Sequence, residues 1–385
     1  MHLLDRRNTL LALAALAAGG LAVGCGGSTN SGSGMMSVHL VDAPGDYLHV
    51  DLDVQTVEIH SNATGWVTLG HPAKVIDLLS LTGGVDETLA DGASLPAGHY
   101  EQMRLVLGSD NTVTLADGTV EPLKVPSGSQ SGVKLPVSFD VAAGTTKDVF
   151  IDFDAHRSVF IHEAGKSGMY ILRPVVRAYD RVVTGTISGH LFDSATKAPL
   201  AGATVTAQDL DSTGAPEVAR TVTTGPDGSY ALDLLPIGTS YYVVAQPVVG
   251  PVSYQAKASA PVALAASAPL SAVDLDLDAA TATGAVSGGV LPAAGVDDAD
   301  EVDVRETLAA TPLDVLPFVV RITLPTETAG VESYAVDALP FGTYSLQLLR
   351  RTIAADGSES TAASAAASAT LATATPAATV NFTLP

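Results

Sequence analysis

The chain has 385 residues, 46% hydrophobic and 16% charged, with 36 Gly and 22 Pro; this excludes a single small module and a helical bundle and points to turn-rich β structure in two to four units. Lys and Arg number 19 against 41 Asp and Glu, a formal charge of -22, so nucleic acid and anionic headgroups are repelled and basic-patch functions are excluded. The lone cysteine, Cys25, rules out an intrachain disulfide and a cysteine metal cluster.

Residues 1–24 have the pattern of a secretory signal peptide. Arg6 and Arg7 precede an apolar run from Thr9 to Val23 that ends in Gly24-Cys25. The run is shorter than the roughly 20 residues a membrane-spanning helix needs. Leu21-Ala22-Val23-Gly24-Cys25 resembles a bacterial lipobox, which implies cleavage before Cys25 and acylation of its thiol, palmitate included. Residues 25–35, rich in Gly and Ser, read as a tether whose flexible part spans roughly 15–18 Å. Gly26 after the cysteine resembles lipoproteins sorted to an outer membrane. Arg6-Arg7-Asn8-Thr9-Leu10 partly matches a twin-arginine signal but lacks a large apolar residue at Thr9, so general secretory and twin-arginine export both stay open.

From Tyr47 onward, short apolar or alternating runs separated by Gly, Pro, Asn and Asp predict strands and turns. One pattern recurs three times, in Leu95-Pro96-Ala97-Gly98-His99-Tyr100, Leu235-Pro236-Ile237-Gly238-Thr239-Ser240-Tyr241 and Leu339-Pro340-Phe341-Gly342-Thr343-Tyr344. The Pro and Gly predict a tight turn feeding a strand, with the tyrosine packed at the end of a sandwich. Alternating runs at Val149–Asp154, Val273–Asp278 and Val380–Leu384 predict half-buried closing strands. Thr184-Gly185-Thr186-Ile187-Ser188-Gly189 and Thr283-Gly284-Ala285-Val286-Ser287-Gly288 open the second and third units. The expected units are therefore 36–180, 181–280 and 281–385. The Ala, Ser, Thr and Pro-rich stretches 259–272 and 359–379 are poorly patterned, and both strands with loose loops and partial disorder stay open for them.

The first unit carries Leu40-Val41-Asp42-Ala43-Pro44-Gly45-Asp46-Tyr47, Gly65-Trp66-Val67, Asp152-Phe153-Asp154-Ala155-His156-Arg157-Ser158 and Tyr170-Ile171-Leu172-Arg173-Pro174 in order. It resembles the bacterial and archaeal family called domain of unknown function 4382, which implies a lipoprotein location and names no activity. The second, with Gly189-His190-Leu191-Phe192-Asp193, Pro199-Leu200-Ala201-Gly202-Ala203 and Thr224-Gly225-Pro226-Asp227-Gly228, is similar to carboxypeptidase regulatory-like sandwiches. That resemblance implies a non-catalytic domain with an architecture shared with starch-binding modules. The third resembles a degenerate copy of the second.

Few residues suggest chemistry. Asp42 and Asp46 flank a Pro-Gly turn while Asp152, Asp154 and Arg157 follow one another near a strand end, so a ligand rim drawn from both loops is one reading and a hard-cation site another. The plainer reading has Asp42 and Asp46 serving their own turn and Asp152 and Asp154 facing solvent, paired to Arg157. The acidic run Asp297, Asp298, Asp300, Glu301 and Asp303 reads as a solvated loop, and Asp227-Gly228 as a hairpin turn. Trp66 follows a turn and is expected to pack at a strand start; a sugar platform is the alternative. The histidines show no metal-ligand spacing, and no nucleophile-elbow motif occurs. Lys197 falls in a turn rather than before Asp193, so no isopeptide crosslink is expected.

The sequence thus predicts an all-β chain of tandem β-sandwich domains of immunoglobulin or transthyretin-like type. It is read as a non-catalytic envelope lipoprotein for binding, adhesion or scaffolding, anchored in the bilayer through acylated Cys25, with the outer membrane as destination. It needs no cofactor, and its partners are a glycan or an envelope protein. Carbohydrate binding is the alternative function, and a surface hydrolase is the rival of another class.

Overall fold

Alternation of apolar and polar residues builds this molecule almost entirely from strands, as in Thr184–Asp193, where every second side chain from Gly185 to Leu191 is buried. The computed structural model describes residues 32–43, 47–81, 85–125, 132–164, 167–172, 176–180, 184–265, 270–292, 298–328, 331–353 and 359–384. Helix among the described residues is limited to the single turns Leu78–Leu81 and Ala155–Ser158, and none is long and apolar enough to cross a membrane.

The first unit packs two sheets around one core that includes Met36, Leu40, Leu52, Ile59, Met103 and Phe153. One sheet runs in the spatial order Val176–Asp180, Thr146–Asp154, Ser33–Ala43, Glu87–Pro96. Its Ser33–Ala43 strand lies parallel to Thr146–Asp154, with Met35 opposite Thr146 and Ala43 opposite Asp154. The facing sheet is centred on the strand His49–Ser61, which pairs with Gly98–Leu107 on one side.

The second unit is a sandwich around Ile187, Leu191, Val205, Leu232, Tyr241 and Leu277. Ser229–Pro236 and Thr184–Asp193, followed by Leu270–Ala272 and Leu275–Leu277, form one layer; Pro216–Thr223, Thr204–Leu210, Ser240–Ala245, Lys257–Ala258 and Val262–Ala263 form the other. The third unit repeats this plan strand for strand. Val331–Pro340, Thr283–Leu291, Ala377–Thr379 and Phe382–Thr383 face Val315–Thr323, Asp298–Ala309, Gly342–Ile353, Glu359–Ala363 and Ala367–Leu371. The two poorly patterned stretches thus supply short strands in both units.

The repeats share their joints as well as their order. Tyr230 donates to the Val273 carbonyl and Tyr334 to that of Val380. A Cβ on Gly189 or Gly288 would overlap those same two carbonyl oxygens, so only glycine lets the closing strand approach. Ser259 and Ser364 each accept a backbone N–H from the neighbouring strand, from Val243 at 2.9 Å and Leu348 at 3.0 Å. The thrice-repeated tyrosine is buried in each unit. Tyr100, Tyr241 and Tyr344 donate to the carbonyls of Pro96, Pro236 and Pro340 at 2.8, 2.9 and 2.7 Å.

The acidic run of the third unit departs from expectation. Its described members lie in the strand Asp298–Ala309 rather than in a solvated loop, and Asp300 and Asp303 are buried. Arg350, on the adjacent strand, clasps Asp300 with a 2.6 Å bond from Nε and a second from Nη2, and Arg305 lies 2.9 Å from Asp303. Counter-charges, fifty residues away in sequence for Asp300 and two for Asp303, make that burial tolerable.

Candidate functional site

Of the expected rim residues, Asp152 and Asp154 fall at the seam between the first and second units. Register places Asp42 opposite Phe153 and Ala43 opposite Asp154, so the two segments do meet. Asp42 is buried and accepts the Ala155 backbone N–H at 2.9 Å. It therefore fastens the turn that follows Asp154 instead of serving only its own. Asp152 is 8% exposed and ion-paired to Arg220 of the second unit, which also reaches Asp233 at 3.2 Å. The solvent-facing placement expected for Asp152 is thus corrected: alternation put it on the face away from the first core, and the second unit covers that face. It pairs with Arg220, a contact between units that spacing along the chain does not signal. Desolvation lowers the Arg220 pKa, but the carboxylates of Asp152 and Asp233 outweigh it and leave it raised. Asp46, Cys25 and the tether before residue 32 lie outside the described residues, as does the side chain of Arg157. No group of three or more His, Cys, Asp or Glu side chains among the described residues is arranged to hold a metal ion.

Asp154 leads to a feature that sequence reasoning missed. It lines a cleft of about 270 Å³ where all three units meet. The second unit contributes Thr204, Thr206, Thr221 and Gln246, and the third contributes the edge-strand segment Val319 to Ile322 with Arg321. The two units are locked beside it. Gln208 donates to the Val319 carbonyl at 2.6 Å and accepts the Val319 N–H at 3.0 Å, so one amide side chain stands in for a neighbouring strand. Tyr242 packs on Phe318 with ring centroids 5.1 Å apart, and Arg305 donates to the Pro216 carbonyl at 2.7 Å. Gln246 donates to Glu306 at 2.9 Å and, at 3.5 Å, to the Tyr344 hydroxyl. Burial raises the Glu306 pKa and lowers that of Arg321 to about 10. The sequence signal for this cleft was faint: a polar Gln at 246 just after the apolar run Tyr241–Ala245, and an Arg at 321 after Phe318-Val319-Val320.

Trp66 sits neither in a core nor as a bare platform. It is half-buried on the sheet, with the Arg104 guanidinium 4.1 Å from its ring centroid and His60 at 5.1 Å. Asp227-Gly228 forms the expected turn, with Gly228 at φ +77 and Ser229 N–H donating to Asp227 at 3.1 Å.

Comparison with known proteins agrees with this architecture at the level of families. No curated protein sequence matches the chain. Among solved structures it is similar to the Bacillus anthracis TIE protein, at 11% identity over 92% of this chain and 51% of that one, with a TM-score of 0.19. This chain thus spans about half the length of that protein. A Streptococcal ancillary pilin aligns at 11% identity over 91% of this chain and 99% of its own, with a TM-score of 0.20. The shaft pilin SpaA from Lactobacillus rhamnosus GG aligns at 11% over 65% and 98%, with a TM-score of 0.22. Residues 33–174 match the family described as domain of unknown function (DUF4382) and residues 186–278 match the carboxypeptidase regulatory-like domain, so two families follow one another along this chain in the order its motifs foretold.

Proposed function

We propose that this protein is a non-catalytic lipoprotein of the bacterial cell envelope that acts as a binding, adhesion or scaffolding module, held in the outer membrane through acylated Cys25. The observation that carries the reading is the cementing of the units by side chains. Arg220 bridges Asp152 and Asp233, and Gln208 clamps Val319, so the sandwiches present fixed faces to one another. A module whose parts are fixed in this way suits holding a ligand or a neighbour at a set distance from the bilayer. Acyl chains contribute roughly 0.8 kcal/mol per buried methylene, so more than one chain makes anchoring stable. Carbohydrate binding is the second reading, favoured by the threonine hydroxyls and the Gln246 amide in the cleft rather than by Trp66, one side of which Arg104 occupies.

Metabolic labelling with palmitate tests the anchor. Wild-type protein is expected to label and to sediment with outer membranes, and Cys25→Ser to do neither. Labelling and sedimentation retained by the variant would sink the lipoprotein reading.

A further inference from the structure

Arg321 differs from Arg104, Arg220, Arg305 and Arg350, each of which is ion-paired. Arg104 pairs with Glu58, Arg220 with Asp152 and Asp233, Arg305 with Asp303, and Arg350 with Asp300 and Glu332. No ion pair among the described residues includes Arg321. Its Nη1 donates to the adjacent Val320 carbonyl at 3.2 Å, and its Nη2 is buried without a hydrogen-bond partner. A guanidinium left unpaired away from water is costly, and a carboxylate fits its planar fork best.

Gln246 supplies a second unsatisfied group on the same cleft. It is 2% exposed, its amide nitrogen is engaged by Glu306 and Tyr344, and its carbonyl oxygen has no partner. The nitrogen's bond to Glu306 fixes which way the amide points, because a flipped amide would set oxygen against carboxylate. Two side chains that line the cleft thus carry an unused cationic donor and an unused acceptor, each shut off from water until a ligand draws it into the cleft. Its volume of about 270 Å³ exceeds the roughly 150 Å³ that encloses a benzene ring, leaving room for one sugar ring or one amino acid. Asp154 in the lining disfavours a second negative charge.

We propose that this cleft binds a small monocarboxylate bearing a neighbouring hydroxyl or amino group, with the carboxylate on Arg321 and the donor on the Gln246 carbonyl oxygen. An acidic monosaccharide and a free amino acid share this chemistry. Either ligand would tie the second unit to the third across the cleft. The inference goes beyond the lipoprotein reading and does not depend on anchoring, so it can fail while palmitate labelling succeeds.

Titration calorimetry on the detergent-solubilised full chain tests it, with sodium galacturonate, L-serine and neutral galactose as probes. Saturable binding of galacturonate or of serine at one site per chain is expected, with galacturonate alone marking an acidic sugar and serine alone an amino acid. Galactose should bind about tenfold more weakly or not at all. Arg321→Gln should lose about tenfold or more in affinity, the scale of a charge-assisted bond, while its melting temperature holds or rises because an unpaired buried charge is gone. Arg321→Lys keeps the charge without the fork and should bind several-fold more weakly. No binding of either carboxylate, equal binding of galactose, or unchanged affinity in both variants would overturn the proposal.

Discussion

At the residue scale, the three buried tyrosines form one bond in three surroundings. The acceptor carbonyl belongs to Pro340 in a buried setting, to Pro236 in a partly buried one and to Pro96 in an exposed one. Phenylalanine at each site keeps the ring and removes the hydroxyl, so the cost is set by whether water can replace it. Tyr344→Phe should lose about 1–2 kcal/mol, Tyr241→Phe less and Tyr100→Phe least, read as falling urea midpoints at constant slope. The recurring Leu-Pro-x-Gly pattern made the tyrosine's placement legible; its bond to the proline carbonyl was not, since nothing in a motif names an acceptor. Asp152 shows the opposite failure. Its polarity suggested solvent, but Arg220 lies nearly seventy residues on and in another unit, so only the fold could pair them. Arg220→Ala should therefore cost about 3–5 kcal/mol by removing a buried counter-charge from Asp152 and Asp233, and a chemical denaturation curve close to wild type would refute the pairing.

At the scale of elements, turns and crossings carry the stability. Asp193, Asp211 and Asp227 each fold their carboxylate back onto a turn of the second unit. Their pKa values are lowered chiefly by the Thr196 N–H, the Thr213 hydroxyl and the Ser229 hydroxyl respectively. Because the folded values lie below the unfolded ones, this stabilisation is complete above about pH 4 and is lost as pH falls through the folded values. The urea midpoint should thus drop below about pH 4, and Asp211→Asn should flatten part of that drop. Glycine tells the same story in steric terms. Gly189→Ala and Gly288→Ala push a methyl group into the carbonyls of Val273 and Val380, and each should cost about 3 kcal/mol or more, measured by thermal melting. Both glycines were visible in the sequence as repeat markers, whereas the strands they admit, Leu270–Ala272 and Ala377–Thr379, were obscured by weakly patterned Ala and Ser.

For the whole molecule, the second and third units meet in an interface of matched side chains. The core of the third unit takes in Tyr242, Val244 and Ala258 from the second, and Gln208 and Gln246 reach across. These two units should melt as one calorimetric transition, and Gln208→Ala with Arg305→Ala should split it into two. Two resolved transitions in the wild type would contradict that coupling. Composition and alternation made the sandwiches legible because each is local. The cleft was not, because it exists only where three separately encoded surfaces converge.

The strand Ser33–Ala43, first in the described chain, lies inside its sheet between Thr146–Asp154 and Glu87–Pro96 instead of at an edge. A pull on the segment before Ser33, directed along that strand, would strain both flanking ladders in shear, many bonds at once, instead of peeling them one by one. Force entering the fold at this end would thus be shared by two ladders from its first strand onward.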